Sequence, residues 1–171
     1  MNSAFKKVVQ NIWGVREKIP FLNFPLPCFL VHKILYLAYG DGMGLMLFFK
    51  RPYEENEREF VYKFLKPGMT FFDIGANQGI YTLLAGKQVG KNGKVFSFEP
   101  VPSQLKKLKR NLKINRIYNT TAESLAVGAE NGKVNMYVCL NGDEALSSLR
   151  LPTEDINSKK NVILVPITTV D

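Results

Sequence analysis

The chain has 171 residues, 46% apolar and 22% charged, with 23 Lys and Arg against 15 Asp and Glu for a formal charge of +8. That length suits one domain with a substantial core, and the near-average composition excludes a disordered chain, a collagen-like repeat and a disulfide-stapled miniprotein. Two cysteines, Cys28 and Cys139, and one histidine, His32, give no metal-ligand spacing and suit a reducing compartment such as the cytoplasm.

Residues 1–20 read as an amphipathic helix carrying Val8, Val9, Ile12 and Trp13, and 28–39 as a short buried or interfacial segment. Pro20, Pro25 and Pro27, with His32 and Lys33, interrupt the apolar stretch, so it lacks the run of about 20 residues that a membrane span needs. A weak contact with a membrane surface through residues 1–40 remains open. Residues 1–44 are expected to be an extension ahead of a domain at 45–171.

Within that domain, 45–49 reads as a strand and 53–65 as a helix, acidic at its start and basic at its end as the helix dipole favours. The run 70–74 reads as a strand stopping at Gly75, 80–89 as a helix, 95–98 as a second strand, 102–115 as a helix and 124–127 as a third strand. Strands alternating with helices in this way predict an α/β fold with a parallel, doubly wound sheet. Past Gly128 the alternation stops: 133–140 and 162–170 read as an added antiparallel strand pair around a polar loop at 141–148.

The charge is unevenly placed. Residues 1–49 carry 5 basic and 2 acidic side chains, 50–118 carry 14 and 6, and 119–171 carry 4 and 7. Much of the excess is Lys106, Lys107, Lys109, Arg110 and Lys113, opposite a stripe of Leu105, Leu108 and Leu112. This reads as the solvated face of one helix, with attraction to an anionic ligand or surface as the alternative.

In a doubly wound sheet, ligands sit beyond the carboxyl ends of the strands. The first strand delivers Asp73-Ile74-Gly75-Ala76-Asn77-Gln78-Gly79 to that end, and the second ends in Glu99-Pro100, with Glu99 26 residues after Asp73. Gly75 and Gly79 allow a sharp turn and a close backbone approach, the following helix opens with free amides, and Glu99 is placed to accept from vicinal ribose hydroxyls. The D-x-G-x-x-x-G spacing departs from the dinucleotide pattern G-x-G-x-x-G, and Asp73 would repel a pyrophosphate. It suits instead a cofactor with an ammonium or sulfonium group and a ribose, which S-adenosylmethionine provides.

The segments 72–82 and 95–100, with Tyr53-Glu54, Asn111, Asn115, Ala126-Val127-Gly128 and the closing Thr168-Thr169-Val170-Asp171, resemble the FkbM family of S-adenosylmethionine-dependent methyltransferases over roughly residues 45–171. The resemblance implies a Rossmann-like class I methyltransferase fold and O-methylation of a sugar or other small-molecule hydroxyl. It implies that Asp73, Gly75, Asn77 and Gly79 line the methionine end of the cofactor and that Glu99 holds the ribose. Glu54 is a candidate for the cofactor side, with a helix-start carboxylate as the alternative.

The expected partner is a small-molecule or glycan hydroxyl acceptor, with no nucleic acid. No catalytic residue is assigned; His32 reads as a packing or surface residue more readily than as a base. Family members continue into a further parallel strand with a K-I-D-x-E-G-like motif, so a fragment with an exposed apolar edge at 70–74 is expected. The alternative function is a non-catalytic cofactor-binding or interaction fragment that needs a partner chain or a C-terminal half.

Overall fold

The computed structural model describes residues 25–30, 34–38, 47, 53–139, 147, 149 and 160–170. The expected helix at 1–20, His32, most of the polar loop and Asp171 lie outside them. So does the expected strand at 45–49, except for Leu47, which is helical and buried.

Three parallel strands form the centre. β3 (Thr70–Ile74), β4 (Lys94–Phe98) and β5 (Thr120–Glu123) lie in the order β3-β4-β5, joined by α2 (Ile80–Val89) and α3 (Pro102–Ile114). Successive right-handed crossovers between neighbouring strands put both helices on the same face of the sheet. α2 is apolar nearly all round and buries Leu83, Leu84, Ala85 and Val89 because strands, α3 and another helix surround it. That helix is α1 (Glu55–Phe64), whose first turn carries Glu55 and Glu57 and whose last carries Lys63, as its dipole favours.

α3 confirms its sequence pattern. Leu105, Leu108 and Leu112 are buried, each contributing roughly 1.5–3 kcal/mol relative to exposure, while Lys106, Lys109, Arg110 and Lys113 face solvent. Its end is a Schellman turn: Ile117 N–H bonds to the Leu112 carbonyl at 3.1 Å and Arg116 N–H to that of Lys113 at 3.1 Å. Arg116 takes φ +53° there, a position that favours glycine.

The segment at 28–39 is a hairpin. β1 (Leu26–Phe29) and β2 (Leu35–Ala38) pair antiparallel, with Cys28, Ile34 and Tyr36 buried in the same cluster as Leu83, Leu84, Leu108 and Leu112. Burial pushes the Cys28 thiol up to about 11, so it behaves as an apolar core residue. The hairpin is stitched to α3 by asparagines: Asn115 Oδ1 accepts Leu35 N–H at 2.9 Å, Asn115 Nδ2 donates to the Leu35 carbonyl at 2.6 Å, and Asn111 Oδ1 accepts Leu37 N–H at 3.1 Å.

The third strand differs from expectation. Residues 124–127 do not form one strand of the parallel sheet; β5 ends at Glu123, and β6 (Ala126–Val127) joins a second sheet. There β8 (Lys160–Thr168) lies between β6, which it meets in parallel, and β7 (Gly132–Cys139), which it meets antiparallel. The Thr120–Glu123 stretch pairs with β4 and packs only Ala122 against the core, which leaves little apolar signal to read.

β3 ends the central sheet on one side, as expected of an edge. Phe72 and Ile74, 48% and 55% exposed, stand on the face away from the helices, with Phe72 stacked on Phe96 at 5.2 Å. Among the described residues no helix is long and apolar enough to cross a membrane.

Candidate functional site

β3 and β4 finish side by side, Asp73 opposite Ser97 and Ile74 opposite Phe98. The N–H groups of Gly75 and Ala76 both donate to the Phe98 carbonyl, at 2.9 and 3.0 Å, which folds the turn 75–79 against the end of β4. Gly75 has φ +76° and a Cβ added there would meet no atom within 4 Å, so the missing side chain leaves open space beside the backbone. Gly79 is needed for another reason: at φ +91° its Cβ would lie 3.0 Å from Leu108 Cγ, inside the packing between α2 and α3.

Glu99 locks this turn. Its Oε2 accepts Asn77 N–H at 2.7 Å and its Oε1 accepts Val101 N–H at 2.8 Å. Burial raises its pKa above the usual carboxylate value, the N–H donors of Val101 and Asn77 oppose the rise, and the Asp73 charge adds to it. Asn77 stands at φ +50°, and its side-chain Oδ1 is buried with no hydrogen-bond partner.

Asp73 is buried against the start of α2. The Thr82 hydroxyl donates to Asp73 Oδ2, and that hydroxyl lies 2.8 Å from Ser97 Oγ. A threonine has one hydroxyl proton, so Ser97 is the donor in the second contact. Burial raises the Asp73 pKa, against the lowering effect of the Thr82 side chain and backbone.

Two cavities meet at Gly75. One of about 200 Å³ is lined by Tyr53, Glu54, Asp73, Asn77 and Tyr81; the other, of about 280 Å³, by Ile74, Glu99, Val101, Ala126 and Met136. The structure thus brings all six sequence-derived residues to one turn and its borders, with Asp73 and Glu99 on opposite sides of Gly75. Gly79 is the exception within the turn, since it faces α3 and lines neither cavity.

Glu54 precedes α1 at φ +46° and makes no side-chain cap to that helix. Its Oε2 instead accepts the Tyr81 hydroxyl at 2.7 Å. Burial, then this hydrogen bond, keeps the Tyr81 phenol protonated well above its ordinary range.

Sequence reasoning missed the supports beneath the turn. Tyr36 OH donates to Gln78 Oε1 at 2.6 Å, and Asn111 Nδ2 donates to the Gln78 carbonyl at 3.0 Å. Asn111 carried a readable signal, because it falls on the buried leucine stripe of its helix, where Gln104 is the other buried polar side chain. Tyr36 carried none, since its partner lies 42 residues away.

Several known proteins resemble this chain. Ribosomal RNA large subunit methyltransferase E of Acinetobacter baumannii is 46% identical over 41 residues, 24% of this chain and 19% of that protein. The match therefore spans about a fifth of that relative's length. Among solved structures, a SAM-dependent methyltransferase from Aquifex aeolicus is 27% identical over 44% of this chain and 39% of that one, with a TM-score of 0.38. Another from Agrobacterium tumefaciens is 10% identical over 63% and 41%, with a TM-score of 0.45.

The ribosomal RNA relative overturns one expectation, that of a small-molecule or glycan acceptor without nucleic acid. That acceptor came from what the FkbM resemblance implies, whereas phosphate contacts need only exposed cations, which no short motif has to encode. The methyltransferase FkbM domain matches residues 73–170, beginning at Asp73 and taking in Gly75, Asn77, Gly79 and Glu99, and the chain belongs to that family.

Proposed function

We propose that this chain is an S-adenosylmethionine-dependent methyltransferase that holds its cofactor across Gly75. The observation that carries the reading is the division of acceptors between the two cavities. Asp73 and the unpartnered Asn77 Oδ1 border one, and Glu99 borders the other. S-adenosylmethionine fits that division, since it presents donors at two separated points: the ammonium group of its methionine end and the ribose hydroxyls in its middle. When bound, it supplies a methyl group activated on a sulfonium.

The chain's residues do the positioning. Glu99, fixed by two backbone donors, keeps lone pairs for a ribose; Asp73, fixed by Thr82, offers negative charge to an ammonium group; Gly75 lets the ligand pass close to the backbone. Glu54 and Tyr81 close the smaller cavity from the α1 side.

For the acceptor we take a hydroxyl of RNA. The name of the ribosomal RNA relative supports this, as does the exposed basic face of α3. A second reading, a cofactor-binding module that works with a partner chain, draws on the exposed apolar edge of β3.

Calorimetry with S-adenosylmethionine on the wild type, Asp73→Ala and Glu99→Ala tests the cofactor site. Affinity is expected to fall at least about ten-fold in each variant, the equivalent of losing one charge-assisted contact; unchanged affinity in both would sink the assignment. Transfer of labelled methyl to RNA then separates the two readings, because the module binds the cofactor without transferring its methyl group.

A further inference from the structure

At the opposite end of the central sheet lies a groove of about 480 Å³ with a different chemistry. It runs between the last turn of α2 and the end of α3, and its lining includes Lys87, Lys91, Arg116, Tyr118 and Asn119 but no acidic side chain. Lys87, Lys91 and Arg116 are exposed, and none forms an ion pair among the described residues. Tyr118 is 81% exposed, an aromatic ring standing in water among three cations.

Two details show that the floor is fixed. The Asn119 side chain donates to the carbonyls of Gly86 and Gly90, at 2.8 Å each, so the end of α2 is tied down and its carbonyl charge partly neutralised. Arg116 occupies the left-handed position of the Schellman turn, where glycine would serve the backbone better. A fold requirement alone does not select arginine there, whereas a role for its guanidinium does.

We infer that this groove binds the backbone of single-stranded RNA, with Lys87, Lys91 and Arg116 contacting phosphates and Tyr118 stacking on a base. Cations tracking a strand beside an exposed aromatic are the arrangement by which proteins hold single strands without reading sequence. A lipid surface fits less well, because the site is concave and exposes no apolar side chain for insertion besides the ring. The inference rests on the RNA-acceptor reading above and deepens it. α2 is ten residues long and separates the groove from Gly79 by about 15 Å, a distance that an extended single strand can span.

The test measures binding of the full chain to a short fluorescent single-stranded RNA of mixed sequence, over a range of salt. Variants are Tyr118→Ala and the combination Lys87→Gln, Lys91→Gln, Arg116→Gly. Wild-type binding should weaken steeply with salt, and the triple variant should bind at least about ten-fold more weakly with a shallower salt slope. Tyr118→Ala should lose about ten-fold at every salt concentration. Melting temperature should stay at or above the wild-type value and S-adenosylmethionine affinity at the wild-type value in both variants, which marks any loss of RNA binding as local.

If the wild type binds RNA and the variants bind it equally well, the groove is overturned while the RNA-acceptor reading stands. If the wild type binds no RNA, both fall. Loss in the variants of binding to anionic vesicles, with RNA binding unaffected, would assign the groove to membranes and overturn the inference.

Discussion

Glu99 and Asn77, 22 residues apart, are joined by a 2.7 Å hydrogen bond, so the carboxylate that ends β4 also sets the shape of the turn that ends β3. Structure and binding are therefore coupled at one side chain. Glu99→Gln places an amide donor where one oxygen now accepts a backbone N–H, at a cost of about 1–3 kcal/mol. Thermal unfolding should show a fall of roughly 2–4 °C per kcal/mol. Calorimetry should show weaker S-adenosylmethionine binding in the same variant, and an unchanged melting temperature would disprove the coupling.

Asp73 should behave in the opposite way. It is a buried carboxylate whose pKa is raised by that burial, so its charge is costly to the fold. Asp73→Asn keeps the size and an acceptor for Thr82 while removing the charge. The variant should melt at or above the wild-type temperature and yet bind S-adenosylmethionine at least about ten-fold more weakly. A variant that is less stable but binds normally would show Asp73 to be purely structural.

Both carboxyl groups give stability and binding opposite responses to pH. Their pKa values lie above the ordinary 3.8 and 4.5, so the folded chain holds these protons more tightly than the unfolded one. Their contribution to stability is therefore greatest with both groups protonated and is lost as pH rises from those ordinary values through the raised ones. Cofactor affinity should run the other way, falling as pH drops through the raised values, because protonated Asp73 no longer attracts an ammonium group and protonated Glu99 accepts ribose hydroxyls more weakly. Melting curves and calorimetry across mildly acidic pH, with Asp73→Asn/Glu99→Gln as the reference, should show the two trends diverge. Parallel trends would count against the site.

Two glycines separate conformation from packing. Gly75→Ala meets no neighbour but forces a Cβ onto φ +76°, costing about 1–2 kcal/mol and placing a methyl group where the cavities meet. Gly86→Ala would bring its Cβ to 2.5 Å from Ile117 Cγ2, an overpacking cost of about 1–3 kcal/mol at the far end of α2. Both variants should melt lower, but only Gly75→Ala should lose cofactor affinity on titration.

The central motif was legible because its punctuation is local. Gly75, Gly79 and Gly90 bound the apolar runs, and β3 and α2 span the residues their sequence indicates. Where the signal is not local, reading failed. Thr120–Glu123 is a strand whose one apolar residue, Ala122, packs on the core while pairing to β4 holds the rest, and the stronger apolar run lies at Leu125 to Val127. The strand pair was hidden by Pro27 and by the polar His32 and Lys33 in the sequence between its strands, features that weaken a strand pattern without forbidding a two-stranded pair. The site's acidic residues could be read from position along the strands, whereas the unpartnered Oδ1 of Asn77 and the support from Tyr36 depend on distant contacts.

That hairpin has a practical consequence for where the functional unit begins. The family match opens at Asp73, but Tyr36 reaches forward to Gln78 inside the 75–79 turn, and Asn111 and Asn115 satisfy the backbone of Leu35 and Leu37. A polypeptide trimmed to the matched segment would bare Leu83, Leu108 and Leu112 and free the turn from one of its anchors. Expression limits drawn from family boundaries would therefore yield a sticky chain with a loosened turn, whereas a start upstream of Leu26 keeps both strands that brace it.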